Sequence, residues 1–213
     1  MESFWGIEKM STQGISRLTE PVSRRDHVRG PSSGEVSLVE YGDFECPYCR
    51  AAEPIVAGLI DTLGDQLSVA FRHFPLRNVH PHAQHAAEVA EAAAAQGRFW
   101  EMHDTLFANQ HALDDANLVK YAAELSLDSE RVSRELASNA HGRRVAEDRE
   151  SGLHSGVNGT PTFYIDGTRY DGPVALRNML AAIRQLHPDL EAAETTATNP
   201  RIPRVRWPQA RGR

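Results

Sequence analysis

The apolar positions along the chain change their period several times, and each change marks an element. Val36-Ser37-Leu38-Val39-Glu40-Tyr41 is β-branched and apolar, and it predicts a buried strand. From Pro47 to about Leu63, Ile55, Val56, Leu59, Ile60 and Leu63 recur at helical spacing, so that strand runs into a helix. Gln66 to Phe74 alternates again, with Leu67, Val69 and Phe71 inward, and Pro75 ends it. A long helical region follows, from about His82 to Gly156. Its first helix is lined by Ala83, Ala86, Ala87, Ala90, Ala93 and Ala94, and Gly97 breaks it. Further amphipathic stretches cover Phe99–Phe107, Asn117–Leu125, Ser129–Asn139 and about Gly142 to Ser155. Thr162–Asp166 then predicts a strand, Asp166-Gly167 a hairpin turn, and Thr168–Tyr170 a short partner strand. Leu176, Met179, Leu180 and Ile183 line a closing helix from Pro173 to Leu186. The pattern predicts an α/β fold with a mixed four-stranded sheet flanked by helices.

The ends carry no such pattern. Residues 1–34 are polar, with Pro21, Gly30, Pro31 and Gly34, and read as an N-terminal extension with little regular structure. Beyond residue 188 the periodicity stops. Residues 199–213 hold five arginines, three prolines and no acid, which predicts a basic, disordered tail. The folded domain is thus expected at 35–187, with a helical insertion at about 80–156. The net charge of −6 gives no reason to expect nucleic-acid binding by the folded body. No apolar run approaches the roughly 20 residues of a membrane helix. The start, Met1-Glu2-Ser3-Phe4-Trp5-Gly6, has neither the basic region nor the apolar core of a signal peptide. The expectation is a cytoplasmic protein as written, or an extracytoplasmic one if the true start or export route differs.

The chemistry gathers at the first strand–helix junction. Both cysteines of the chain lie there, in Cys46-Pro47-Tyr48-Cys49. The first turn of a helix offers unpaired N–H groups and a positive dipole end, which stabilise a thiolate, the reactive form of cysteine. Pro47 suits the first helical position because it has no N–H to leave orphaned. A spacing of three brings the two sulfurs to one face, where a disulfide can close. Cys46, nearer the helix end, is expected to be the exposed attacking thiol and Cys49 the buried resolving one. A zinc site would need two more ligands, and there are no other cysteines. A static disulfide would close a loop too short to constrain the unfolded chain much. A redox-active dithiol fits best.

A second motif, Gly159-Thr160-Pro161-Thr162-Phe163, sets a proline at the start of a later strand, where a cis X-Pro bond suits a tight functional turn. With these two motifs and the helical segment between them, residues 27–187 resemble the thioredoxin-fold oxidoreductases, and most closely the DsbA-like thiol:disulfide oxidoreductases. Thioredoxin itself lacks such a helical insertion. Similar domains also occur fused behind sodium/proton antiporters, but no transporter is encoded in these residues. The resemblance implies disulfide exchange with protein thiols through Cys46 and Cys49, with oxidation as the expected direction and an unidentified redox partner. It needs no metal and no organic cofactor. It implies that Pro47, Tyr48, Thr160 and Pro161 contact substrate, with Thr160 offering backbone hydrogen bonds to an extended peptide. It also places a buried acid at Glu40, beneath the dithiol, where it could exchange a proton with Cys49; a partly exposed glutamate at the strand's end is the competing reading.

Other charged residues read as bland. Asp43 and Glu45 are expected to be solvated loop acids that oppose thiolate formation. His73, His80, His82 and His85 are expected on a polar loop and helix start, facing solvent or the groove near the dithiol, since no acidic or thiol ligand accompanies them at metal spacing. Phe99 and Trp100 read as core. Two other classes remain: a peptide-binding, chaperone-like module with secondary redox activity, and a glutathione-dependent transferase or isomerase on the same fold. The intact cysteine pair argues against the latter.

Overall fold

A computed structural model describes residues 16–31 and 34–190. At its centre lies β2 (Val36–Gly42), buried along nearly its whole length. A strand covered on both faces reads as a continuous apolar run, not as alternation, which is why this segment is so apolar. Helix α1 (Pro47–Leu63) crosses over to β3 (Leu67–His73), which lies parallel to β2 in a register running from Val36 opposite Leu67 to Gly42 opposite His73. On its other side β2 pairs antiparallel with β4 (Thr162–Ile165), which turns into β5 (Thr168–Tyr170).

The sheet has five strands, where four were expected. The fifth, β1 (His27–Arg29), pairs antiparallel with β3, so the order is β1-β3-β2-β4-β5. Three half-buried residues at an edge, two of them polar, leave no alternation to read. The same stretch corrects the expectation of little regular structure before residue 35. The Asp26 carboxylate accepts from the Arg72 guanidinium at 2.7 Å, and that guanidinium also donates to the carbonyls of Glu20 and Pro21. Arg17 bridges to Thr168 at the opposite edge.

Between β3 and β4 the chain forms α2 (Ala83–Ala94), α3 (Phe99–Ala108), α4 (Asp115–Glu124), α5 (Ser129–Ala137) and α6 (Gly142–His154). Asp114 and Asp128 start α4 and α5 by accepting from the N–H groups of Asn117 and Arg131, a cap that aspartate supplies well. Helix α7 (Leu176–Leu186) closes the fold against α1.

Three apolar clusters result. Leu59, Leu63, Met179 and Ile183 fill the space between α1, α7 and one sheet face. Val39, Tyr41, Phe74 and Tyr164 fill another beside α6, where Gly152 leaves room for the Phe74 ring: a Cβ there would lie 2.8 Å from it. The third, under the insertion, contains Phe44, Cys46, Cys49 and Phe71 together with Met102, Leu106 and Phe107. Each such large side chain contributes roughly 1.5–3 kcal/mol by leaving water. The dithiol therefore sits in the core that the inserted helices build. Among the described residues no helix is long and apolar enough to cross a membrane.

Candidate functional site

Cys46 is the residue that caps α1, with extended backbone, and Pro47 follows in the first turn. The Arg50 N–H donates to the Cys46 carbonyl at 3.2 Å. Both cysteines are free thiols. The Thr160–Pro161 peptide bond is cis, and the Cys46 thiol donates to the Thr160 carbonyl at 3.3 Å. The Asp43 N–H meets the Cys49 sulfur at 3.4 Å. The structure thus brings Cys46, Cys49, Thr160 and Pro161 together, with Tyr48 beside them at 74% exposure.

The expected exposure of Cys46 is not found: it is 3% exposed, and Cys49 is fully buried. The loop at Thr160 leans on Cys46 from one side. From the other, the Gln110 amide donates to the carbonyls of Phe44 and Cys46 at 2.9 and 2.8 Å.

The two thiols differ electrically. A hydrogen bond from Cys49 draws the Cys46 thiol down to about 5 against the cost of burial, helped by the Thr160 side chain and the N–H groups of Cys49 and Tyr48. Burial pushes Cys49 up, and its hydrogen bond to Cys46 and the charges of Glu40 and Cys46 add to the rise. Glu40 is 2% exposed, not a partly exposed strand end. Burial, then the Cys46 charge, raises its carboxyl to about 8, and its Oε1 atom has no hydrogen-bond partner.

Asp43 and Glu45 are not solvated acids. Asp43 is 2% exposed and accepts from the N–H groups of Glu45 and Leu76 and from His80 Nδ1, each at 2.8 Å. Glu45 accepts from the His82 N–H at 2.7 Å. Both acids satisfy backbone donors of the loop after β3 and fasten it to the loop that carries the cysteines.

The four histidines do not form one group either. His73 is buried at the end of β3 and shares Glu91 Oε1 with His27, at 2.9 and 2.8 Å. His80 binds Asp43, and His85 binds Asp115 at 2.6 Å near the surface. Among the described residues the groups close enough to share an ion are His27, His73 and Glu91, and Glu53, His103 and Asp104. Hydrogen bonds and ion pairs already link the members of each group.

Phe99 is buried and Trp100 packs beside it, as their apolar spacing predicts. Glu53, His103 and Gln110 are the polar residues near the site that sequence reasoning missed. A signal existed for the first two. Glu53 continues the buried row of Cys49, Val56 and Leu63 on α1, and His103 lies between Phe99 and Phe107 on α3.

A family model described as Thioredoxin matches residues 23–185. The chain belongs to the thioredoxin family. Its fold is DsbA-like, with an insertion of helices between β3 and β4. Its fold is similar to that of BdbD from Bacillus subtilis, with TM-score 0.70 and 18% identity, covering 81% of this chain and 98% of that one. A thioredoxin-like oxidoreductase from Silicibacter pomeroyi is 26% identical at TM-score 0.69, covering 78% and 94%. By sequence, the chain is 49% identical over 176 residues to the Na(+)/H(+) antiporter NhaA 3 of Salinispora tropica, and 44% over 158 residues to the antiporter NhaA of Herminiimonas arsenicoxydans. Those matches cover 81% and 74% of this chain but 26% and 25% of the antiporters. The chain therefore spans about a quarter of the length of these relatives.

Proposed function

We propose that this protein is a thiol:disulfide oxidoreductase that exchanges disulfides with protein thiols, acting as an oxidase. The observation that carries this reading is the asymmetry of the pair: Cys46 at a helix end with its thiol drawn down to about 5, and Cys49 buried with its thiol pushed up. A substrate thiolate attacks Cys46 in the disulfide form, and the electron pair of the broken S–S bond goes to Cys49. The second substrate thiol then releases the substrate as a disulfide, leaving Cys46 as thiolate and Cys49 as thiol. Glu40 supplies the proton that Cys49 takes up. Thr160 and Pro161 flank Cys46, and the exposed Tyr48 ring offers substrate an apolar contact.

Stabilising the Cys46 thiolate stabilises the reduced protein, and a stable reduced form makes an oxidising disulfide. The test is the reduction potential measured against glutathione buffers. A value well above that of thioredoxin, about −270 mV, is expected; a value at or below it removes the oxidase direction. Cys46→Ser separates this reading from a peptide-binding module, because the variant must lose all exchange activity while a binding module would keep its role.

A further inference from the structure

Asp43 touches both cysteines through its main chain. Its carbonyl accepts from the Cys46 N–H at 3.1 Å, which closes a tight turn, and its own N–H donates to the Cys49 sulfur at 3.4 Å. Its side chain is fully buried and tied at both oxygens. Oδ1 accepts from the Glu45 N–H inside that turn, and Oδ2 accepts from the Leu76 N–H and from His80 Nδ1, each at 2.8 Å. Leu76 and His80 are the two ends of one turn in the loop after β3, closed by the His80 N–H on the Leu76 carbonyl at 2.9 Å. A carboxylate only accepts, so His80 carries a proton on Nδ1. The two N–H groups already give each oxygen a partner, so the imidazole bond calls for a further role.

We propose that His80 is a positioning residue for disulfide exchange: through the Asp43 carboxylate it holds the Asp43 N–H on the Cys49 sulfur, where that N–H stabilises the thiolate that leaves when substrate opens the disulfide. This deepens the exchange reading above and rests on it. A substrate thiolate attacks the Cys46 sulfur and bonds to it. The Cys46–Cys49 bond breaks, and its electron pair goes to Cys49. Negative charge then grows on a sulfur that is fully buried from solvent. A donor fixed there in advance needs no rearrangement as the charge appears.

Burial foremost pushes the Cys49 thiol up, and the Cys46 hydrogen bond and the charges of Glu40 and Cys46 add to it; the Asp43 N–H pulls the other way. That N–H acts before Cys49 takes its proton and does not supply it. The second substrate thiol then releases the substrate as a disulfide, so the substrate loses two electrons and the cysteine pair gains them. Cys49 ends as a neutral thiol. The effect of His80 therefore falls on the transition state, and opening and closing of the disulfide change together.

The test uses the full chain at pH 7. Its disulfide form is mixed rapidly with dithiothreitol, and its reduced form with iodoacetamide. His80→Ala, and His80→Phe, which keeps a ring without a donor, are each expected to slow reduction by about tenfold. His80→Asn, whose side-chain amide can donate from the position of Nδ1, is expected to recover most of the rate. Alkylation of Cys46 and the equilibrium with glutathione should move less than twofold in all three variants, because neither depends on a charged Cys49. If His80→Ala does not fold, His80→Phe carries the comparison. Reduction within twofold of the unaltered rate in the variants without a donor overturns the proposal, as does a His80→Asn variant equally slow. A slowing shared by Cys46 alkylation or by a shift in the glutathione equilibrium also overturns it, since the whole site is then loosened. Each of these results leaves the exchange activity standing. An unaltered protein that does not exchange disulfides at all overturns the functional reading itself.

Discussion

The side-chain amide of Gln110, just beyond α3, donates to the carbonyl oxygen of Cys46 at 2.8 Å. It thereby joins the inserted helices to the residue that caps α1. Gln110→Ala would leave the Cys46 and Phe44 carbonyls without this donor. The expected loss is about 1–2 kcal/mol, read from the denaturant midpoint. Cys46 should also become more accessible and react faster with a bulky maleimide. An unchanged midpoint and an unchanged labelling rate would show that the amide holds nothing.

Cys46 is expected to carry the adduct when the reduced protein meets limiting iodoacetamide at pH 7. Its thiol sits at about 5 and is ionised there, whereas burial holds Cys49 as thiol. Peptide mapping reads the outcome. Labelling mainly at Cys49 contradicts the assignment of roles.

The pH dependence of the reduced form follows from the same asymmetry. The Cys46 thiol is lowered from about 9 in an unstructured chain to about 5 in the fold. Its thiolate therefore stabilises the reduced protein fully above about pH 9, and the gain fades as pH falls towards 5. Burial of Glu40 acts on reduced and oxidised protein alike and largely cancels in their difference. Reduced protein should outlast oxidised protein in denaturant at pH 8, and the gap should narrow at pH 5. A gap that widens on acidification would contradict the sign.

Glu40 is expected to cost stability in alkali. Its carboxyl is raised to about 8, so the fold prefers it protonated, and stability falls as pH rises from about 4.5 through 8. Glu40→Gln should add about 1–3 kcal/mol at pH 9 and little at pH 4, while slowing disulfide exchange. Equal midpoints for both proteins at pH 9 would mean that Oε1 finds a partner in solution.

Asp26 and Arg72 are a buried pair, with side chains 1% and 3% exposed. Asp26→Ala would leave the guanidinium with backbone carbonyls and the Tyr41 hydroxyl as its partners. A loss of about 3–5 kcal/mol is expected from urea unfolding. A loss under about 1 kcal/mol would show that those oxygens suffice.

How legible this was depended on whether a residue's partner was local. The strand at Val36 and the helix from Pro47 were readable because burial on both faces, or along one stripe, repeats within the segment. The dithiol and the Thr160–Pro161 turn were readable because their chemistry is written in adjacent residues. Asp43 and Glu45 were misread because the N–H groups they satisfy, at Leu76 and His82, lie more than thirty positions away. The cover over Cys46 comes from Thr160 and Gln110, which only the fold brings near. β1 escaped because three residues at an edge carry no period of their own. The expected basic tail at 199–213 lies outside the described residues.

Both rims of the sheet are occupied. On β5, Leu18 donates to the Gly167 carbonyl and Arg169 to that of Ser16; on β1, the Trp100 indole donates to the Val28 carbonyl at 3.3 Å. Unpaired strand rims are where chains add to one another and grow into aggregates. This protein meets that hazard with the stretch Ser16–Leu18 at one rim and an indole at the other. A shortened chain beginning at residue 27 would bare the β5 rim, and self-association, not simple loss of folding, is the failure to look for in it.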